Sequence, residues 1–169
     1  MEEVNDKRRW FVARTRSGQE LKVKERLDFL GVENFIPTEV KKNYRGKPKQ
    51  HPVISCLVFV RAQKTAACDL KTKNSLPVNY IRDCASGTMM FVPDRQMDDF
   101  RRVLESSTME GGLVDQIVNP GEAVRVSAGP LKGVQGQIME VLGEYYVVVG
   151  LSGLVYARAR VPKAWLERI

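Results

Sequence analysis

Aromatic and β-branched residues alternate along Trp10–Arg16, WFVARTR, and mark a strand with Trp10, Val12 and Arg14 on one face and Phe11 and Ala13 on the other. The period then lengthens. Val23, Leu27 and Leu30 recur at i, i+4 and i+7, the buried stripe of a helix, and the spacing predicts that helix from about Gly18 to Leu30. Ser17-Gly-Gln-Glu20 before it fits a capping box, and Gly31 after it fits a left-handed C′ residue. Asn34–Val40 and the apolar run 52–61, PVISCLVFVR, read as two strands, with Pro37 arguing for an edge or a bulge. They are expected to pair, leaving the segment between them as a protruding hairpin tip. Residues 64–74 read as a short helix, and residues 78–82 and 88–92 as short strands around a turn at 83–87. Pro93-Asp94 opens a further helix, with Met97, Phe100, Val103 and Leu104 as its apolar face.

Periodicity fades over residues 106–120, where Ser-Ser, Gly-Gly and Asn-Pro indicate a linker. Beyond it the pattern is all short strands: 123–126, 134–141, 145–150, 154–160 and a last piece near Trp165. Five such strands close best as a small barrel, because closure removes exposed edges. Gly129-Pro-Leu-Lys-Gly133 turns the chain between the first two, and Gly136 inside a strand predicts a bulge or sharp bend. Val147-Val-Val149 and the seven glycines from 121 to 153 argue against helix here, so the segment is expected as strand throughout.

A length of 169 residues fits one ordinary domain or two small ones, and 43% hydrophobic residues suffice for a core. No apolar run approaches the ~20 residues needed to cross a bilayer. The start MEEVNDKRRW is not a signal peptide, so a cytoplasmic protein is expected. Cys56, Cys68 and Cys84 are odd in number and have no paired spacing, and His51 is the single histidine. Reduced thiols and no metal or cofactor are expected. There is no phosphate-binding glycine loop and no nucleophile–base–acid set, so an enzyme is not expected.

The net charge of +7 sits unevenly. Residues 1–109 hold 21 Lys+Arg against 14 Asp+Glu, and residues 110–169 hold 6 against 6. Such a step suggests two units, the first facing a polyanion. The hairpin segment concentrates it: Lys41, Lys42, Arg45, Lys47 and Lys49 surround Tyr44 without an acid. Lysines there would track phosphates and Tyr44 with Arg45 would stack a base, although a solvated charged loop has the same composition.

GEAVRVSAGPLKGVQGQI, residues 121–138, resembles the KOW motif: a strand, then G-P-x-x-G, a small residue, glycine and an aliphatic. WFVARTRSGQELKVKERL resembles the opening of the NusG N-terminal domain, where a strand ending in R-T-x-x-G-x-E leads into a helix, and PVISCLVFVRA resembles that domain's central strand. The chain is therefore identified as a member of the NusG family over about residues 9–169. The resemblance implies an α+β fold: an antiparallel sheet flanked by helices over 1–108, a linker over 109–120, and an SH3-like KOW β-barrel over 121–169.

It also implies a transcription factor that binds RNA polymerase through the clamp helices and gate loop, holds the clamp shut and suppresses pausing. Phe29, Ile54, Leu57, Phe59, Lys71 and Thr72 are then the polymerase-facing candidates. Lys41, Lys42, Tyr44, Arg45, Lys47 and Lys49 would meet the non-template DNA strand or nascent RNA of a leader region. Arg125, Tyr145, Tyr146, Arg158 and Arg160 would recruit a partner such as Rho or a small-subunit ribosomal protein. Ser55-Cys56-Leu57 stands where the family usually carries P-G-Y, so a leucine replaces the aromatic anchor. NYIRDCASGTMMFVPDRQMDDFRRVL and the ending ARVPKAWLERI resemble the UpxY-type factors of Bacteroidetes that antiterminate capsular polysaccharide operons. The alternatives are a housekeeping elongation factor and an RNA- or ribosome-binding KOW protein; the protein is expected as a monomer without a membrane partner.

Overall fold

The computed structural model describes residues 7–42, 44–52, 56–106, 112–114 and 121–169. The chain divides into two units, Met1–Val92 and Pro93–Ile169.

In the first unit, strand β1 (Arg9–Arg14) is the hub. It pairs antiparallel with β5 (Leu57–Ala62), setting Phe11 opposite Val60 and Ala13 opposite Val58. Its other edge takes two short strands, β6 (Asn79–Tyr80) beside Ala13–Arg14 and β7 (Phe91–Val92) beside Trp10–Phe11. Strand β2 (Glu33–Phe35) pairs on the far side of β5. Phe11, Ala13, Val58 and Val60 point to one face and pack with Val23 and Leu27 of helix α1 (Glu20–Phe29) and Ala67 and Leu70 of α2 (Lys64–Thr72). Trp10, Val12 and Phe59, on the opposite face, are buried as well. Each such side chain contributes roughly 1.5–3 kcal/mol through removal from water.

Helix α1 is shorter than its apolar stripe predicts, and Leu30, now its C-cap, is part-exposed. Its end follows the local chemistry. Gly31 takes φ +71, its N–H bonds to Asp28 O at 3.1 Å, and the Val32 N–H reaches Leu27 O at 3.0 Å, a Schellman closure of two orphan carbonyls. The expected capping box does not form: the N-cap is Gln19, and Glu20 is turned inward and buried.

The anticipated strand 34–40 is split at Ile36-Pro37. Its first part is β2, and its second, β3 (Thr38–Lys42), pairs with β4 (Pro48–Pro52) as a separate two-stranded hairpin. A proline lacks the N–H a continuous ladder needs, which accounts for the break.

The second unit opens with helix α3 (Asp94–Ser106). Then come β8 (Gly112–Val114), β9 (Ala123–Val126), β10 (Gln135–Val141), β11 (Glu144–Leu151), β12 (Val155–Arg160) and β13 (Leu166–Arg168). Among the described residues these strands form one antiparallel sheet in the order β13–β9–β10–β11–β12–β8. From β9 to β12 the pairing is sequential, as short turns dictate. At Gly136 an added Cβ would lie 2.3 Å from Val148 O, so only glycine permits this approach of β10 to β11.

Two sequence expectations meet a different arrangement here. Residues 112–114, inside the expected linker, are a strand paired with β12. Helix α3, expected within a domain ending at residue 108, clusters with the C-terminal sheet, and the boundary falls at 92/93. The reason is a set of contacts that strand and helix periodicity do not encode. Gln96, Asp99 and Arg102, spaced i, i+3, i+6 on one helix face, all bond to main-chain groups of the sheet unit.

Candidate functional site

The motif R-T-x-x-G-x-E acquires a physical role at the junction of β1, α1 and β5. Cys56 takes φ +67, a left-handed backbone that an L side chain rarely adopts. Thr15 N–H donates to Cys56 O at 2.9 Å, and Cys56 N–H donates to Glu20 Oε1 at 2.9 Å. Thr15 Oγ1 donates to Pro77 O at 3.0 Å, tying in the loop before β6. The buried carboxylate of Glu20 is therefore a long-range clamp on the start of β5, and that clamp holds Leu57 in register with Arg14. Sequence reasoning assigned Glu20 to a cap; the P-G-Y that the resemblance sets against Ser55-Cys56-Leu57 is the signal that could have found the left-handed position, since it implies a glycine at 56.

Of the apolar polymerase candidates among the described residues, Phe29 is the one presented to solvent, 90% exposed at the end of α1. Leu57 is buried, and Phe59 is wholly buried against Phe35, ring centroids 6.2 Å apart. Both are enclosed in β5, whose two faces are covered, so neither is presented for the direct contact that the sequence suggested. Ile54 lies outside the described residues. Lys71 and Thr72 end α2 in exposed positions; Lys71 Nζ donates to Asn79 Oδ1 at 2.7 Å and Thr72 Oγ1 to Cys68 O at 3.1 Å.

Lys71 also lines an open cleft of about 920 Å³ with Arg14, Arg16, Ser17, Ser75 and Asn79. Arg14 and Arg16 were not singled out by sequence, because a pair of exposed arginines at a strand end carries no pattern until α2 brings Lys71 beside them. The cleft holds three cations and no carboxylate among its lining residues.

The hairpin differs from the expected one: its strands are β3 and β4 rather than 34–40 and 53–60, so among the described residues only 44–47 form the tip, and Lys41, Lys42 and Lys49 lie on its strands. Tyr44 is 91% exposed, and the Arg45 guanidinium lies 5.3 Å from its ring centroid. Lys47 and Lys49 are exposed, while Lys41 and Lys42 sit on β3 opposite Lys49 and Pro48. Base stacking on an aromatic–arginine pair and salt-dependent phosphate contacts are the chemistry such a tip offers.

In the second unit, Tyr146, Arg158 and Arg160 gather on one face of β11–β12. Arg158 stacks 4.8 Å from the Tyr146 ring, and Arg160 pairs with Glu144 at 2.8 Å. Tyr145 points to the other face and meets Lys163 Nζ at 5.3 Å. Arg125 stands apart. With the Gln135 amide oxygen turned toward them, Arg125 and Arg95 both donate to it, at 2.9 and 2.8 Å. Beside this group Asp99 Oδ2 accepts from Gln135 N–H at 3.3 Å. Burial pushes the Asp99 carboxyl above its ordinary range, opposed by that hydrogen bond and by Arg95 and Arg102.

Residues 8–101 match the family model NusG, described as transcription termination factor nusG. No curated protein matches the chain. No helix among the described residues is long and apolar enough to cross a membrane.

Proposed function

The chain belongs to the NusG family of transcription elongation and termination factors, which bind RNA polymerase, and from that premise we propose that it is a specialised, non-catalytic antitermination factor acting at chosen operons, capsular polysaccharide operons in particular. Phe29 and the rim of the β5 clamp meet the polymerase clamp helices, and the Arg14–Arg16–Lys71 cleft reaches the gate loop side. A contact stronger with the closed clamp than with the open one shifts the population away from the paused state. The hairpin tip carries Tyr44, Arg45, Lys47 and Lys49 to the exposed non-template strand. The C-terminal sheet serves as a KOW-type barrel whose Tyr146–Arg158–Arg160 face recruits a further protein such as Rho or a small-subunit ribosomal protein.

The observation that carries this reading is the hairpin, a separate two-stranded projection with a solvent-exposed aromatic–arginine pair at its tip. A housekeeping factor needs polymerase contact alone. The test is recovery of polymerase-bound DNA with the protein from cells. Enrichment confined to a few polysaccharide operons, lost when Arg45, Lys47 and Lys49 become Ser, is expected; uniform coverage of transcribed genes returns the protein to general elongation.

A further inference from the structure

At the opposite end of β1 from the Arg14–Lys71 cleft lies a second cationic corner that the reading above leaves unused. Arg9 lies five strand positions from Arg14, about 17 Å away, and α2 begins there with Lys64. Strand parity puts Arg9, Phe11 and, through the Phe11–Phe91 register, Phe91 on the same face. The Arg9 guanidinium lies 4.5 Å from the Phe91 ring centroid. Phe91 remains 42% exposed on a two-residue strand. Lys7, Arg9, Lys64, Thr88, Met89 and Phe91 surround a cavity of about 170 Å³ floored by Phe11. A cavity of about 150 Å³ admits benzene, so the space suits one planar ring.

Three features select the occupant. The lining includes three cations and no carboxylate, which favours a polyanion. A stacked arginine–aromatic pair offers a platform for a base, and an acidic peptide has no use for it. Thr88 lines the cavity, its Oγ1 shares a hydrogen bond with Ser86 Oγ at 2.7 Å, and that oxygen keeps acceptor capacity. That capacity matches a ribose 2′-hydroxyl, the group that separates RNA from DNA. We propose that this corner is a binding site for single-stranded RNA, one base entering over Phe91 while Lys7 and Lys64 hold the flanking phosphates. This site goes beyond the polymerase reading and stands or fails without it.

The test uses the full chain and fluorescently labelled 12-nucleotide probes, uridine RNA and thymidine DNA, with anisotropy read over a salt series. RNA is expected to bind more tightly than DNA. Lys7→Glu with Lys64→Glu should weaken RNA binding at least tenfold and flatten the logarithmic salt slope by about 1.4, two phosphates at ~0.7 each. Phe91→Leu, which keeps the apolar volume and removes the stacking face, should cost about tenfold with an unchanged thermal midpoint. The hairpin variant carrying Ser at 45, 47 and 49 should retain the RNA preference. Unchanged RNA affinity in the double-Glu protein, equal affinity for the DNA probe, loss of the RNA preference in the hairpin variant, or competition by polyglutamate against RNA at equal charge would overturn the proposal.

Discussion

The two units are built on different logics. In the first, β1 gathers partners from far along the chain, β5 on one edge and β6 and β7 on the other, so its register depends on contacts remote in sequence. In the second, β9 to β12 pair with their chain neighbours, and turn chemistry sets the register. Their charges divide in the same way: residues 1–92 hold 18 Lys+Arg against 10 Asp+Glu, and residues 93–169 hold 9 against 10. The unit with non-local architecture carries the cationic surfaces, and the locally built unit is nearly neutral. In the proposed function the polyanion partner is accordingly assigned to the first unit and the partner of mixed chemistry to the second.

The largest break in the comparison is predicted at Phe59. Phe59→Ala removes a wholly buried ring from the central strand and should cost about 3–5 kcal/mol. Hydrogen exchange is expected to show protection lost over residues 9–92 and retained over 123–168. Uniform loss in both would mean that the two units do not unfold separately.

Next comes the clamp. Glu20→Ala leaves the Cys56 amide without its carboxylate and should cost about 1.5–3 kcal/mol. Cys56→Gly should act in the other sense, raising the thermal midpoint by relieving a left-handed side chain, worth about 1 kcal/mol. If glycine at 56 lowers the midpoint, the strain assigned to that residue is not there.

Much of the first unit was legible wherever the cause was local. The alternation of WFVARTR produced β1, and Gly31 closed α1 as its position indicated. The hairpin around Tyr44 followed from a basic, Gly- and Pro-containing segment between two strand patterns. Glu20 was not legible, because S-x-x-E has the same spacing whether the glutamate caps its own helix or reaches Cys56 thirty-six residues away. Phe59 was assigned to the polymerase face through the family resemblance, and strand alternation could not correct it, because alternation does not say that both faces of β5 are covered. Arg14 and Arg16 waited on the placement of α2. In the second unit the strands were readable from short-range pattern, whereas Gly136, read as a bulge or bend, keeps regular register with β9 and is required by its close approach to Val148. The allegiance of α3 was not, since its polar residues bond to main-chain groups that carry no sequence signature.

The smallest predicted effect lies in that α3 contact. The folded-state pKa of Asp99 is raised above its ordinary value of 3.8, so the ionised form is penalised in the folded unit. The penalty is fully present above the raised pKa and disappears as pH falls through it toward 3.8, so acidification should tighten α3 on the sheet. Exchange of α3 amides, measured against a pH series with intrinsic rates divided out, should slow in that window. Asp99→Asn should abolish the dependence while leaving the Gln135 N–H an acceptor.

Whether the cationic unit grips the transcribing enzyme is tested most directly by co-elution with purified core RNA polymerase at low salt. The full chain should travel with polymerase, and Phe29→Asp, a change at a 90% exposed side chain that leaves the unfolding free energy within about 0.5 kcal/mol of wild type, should abolish it. A folded wild-type chain that elutes apart from polymerase would contradict the account.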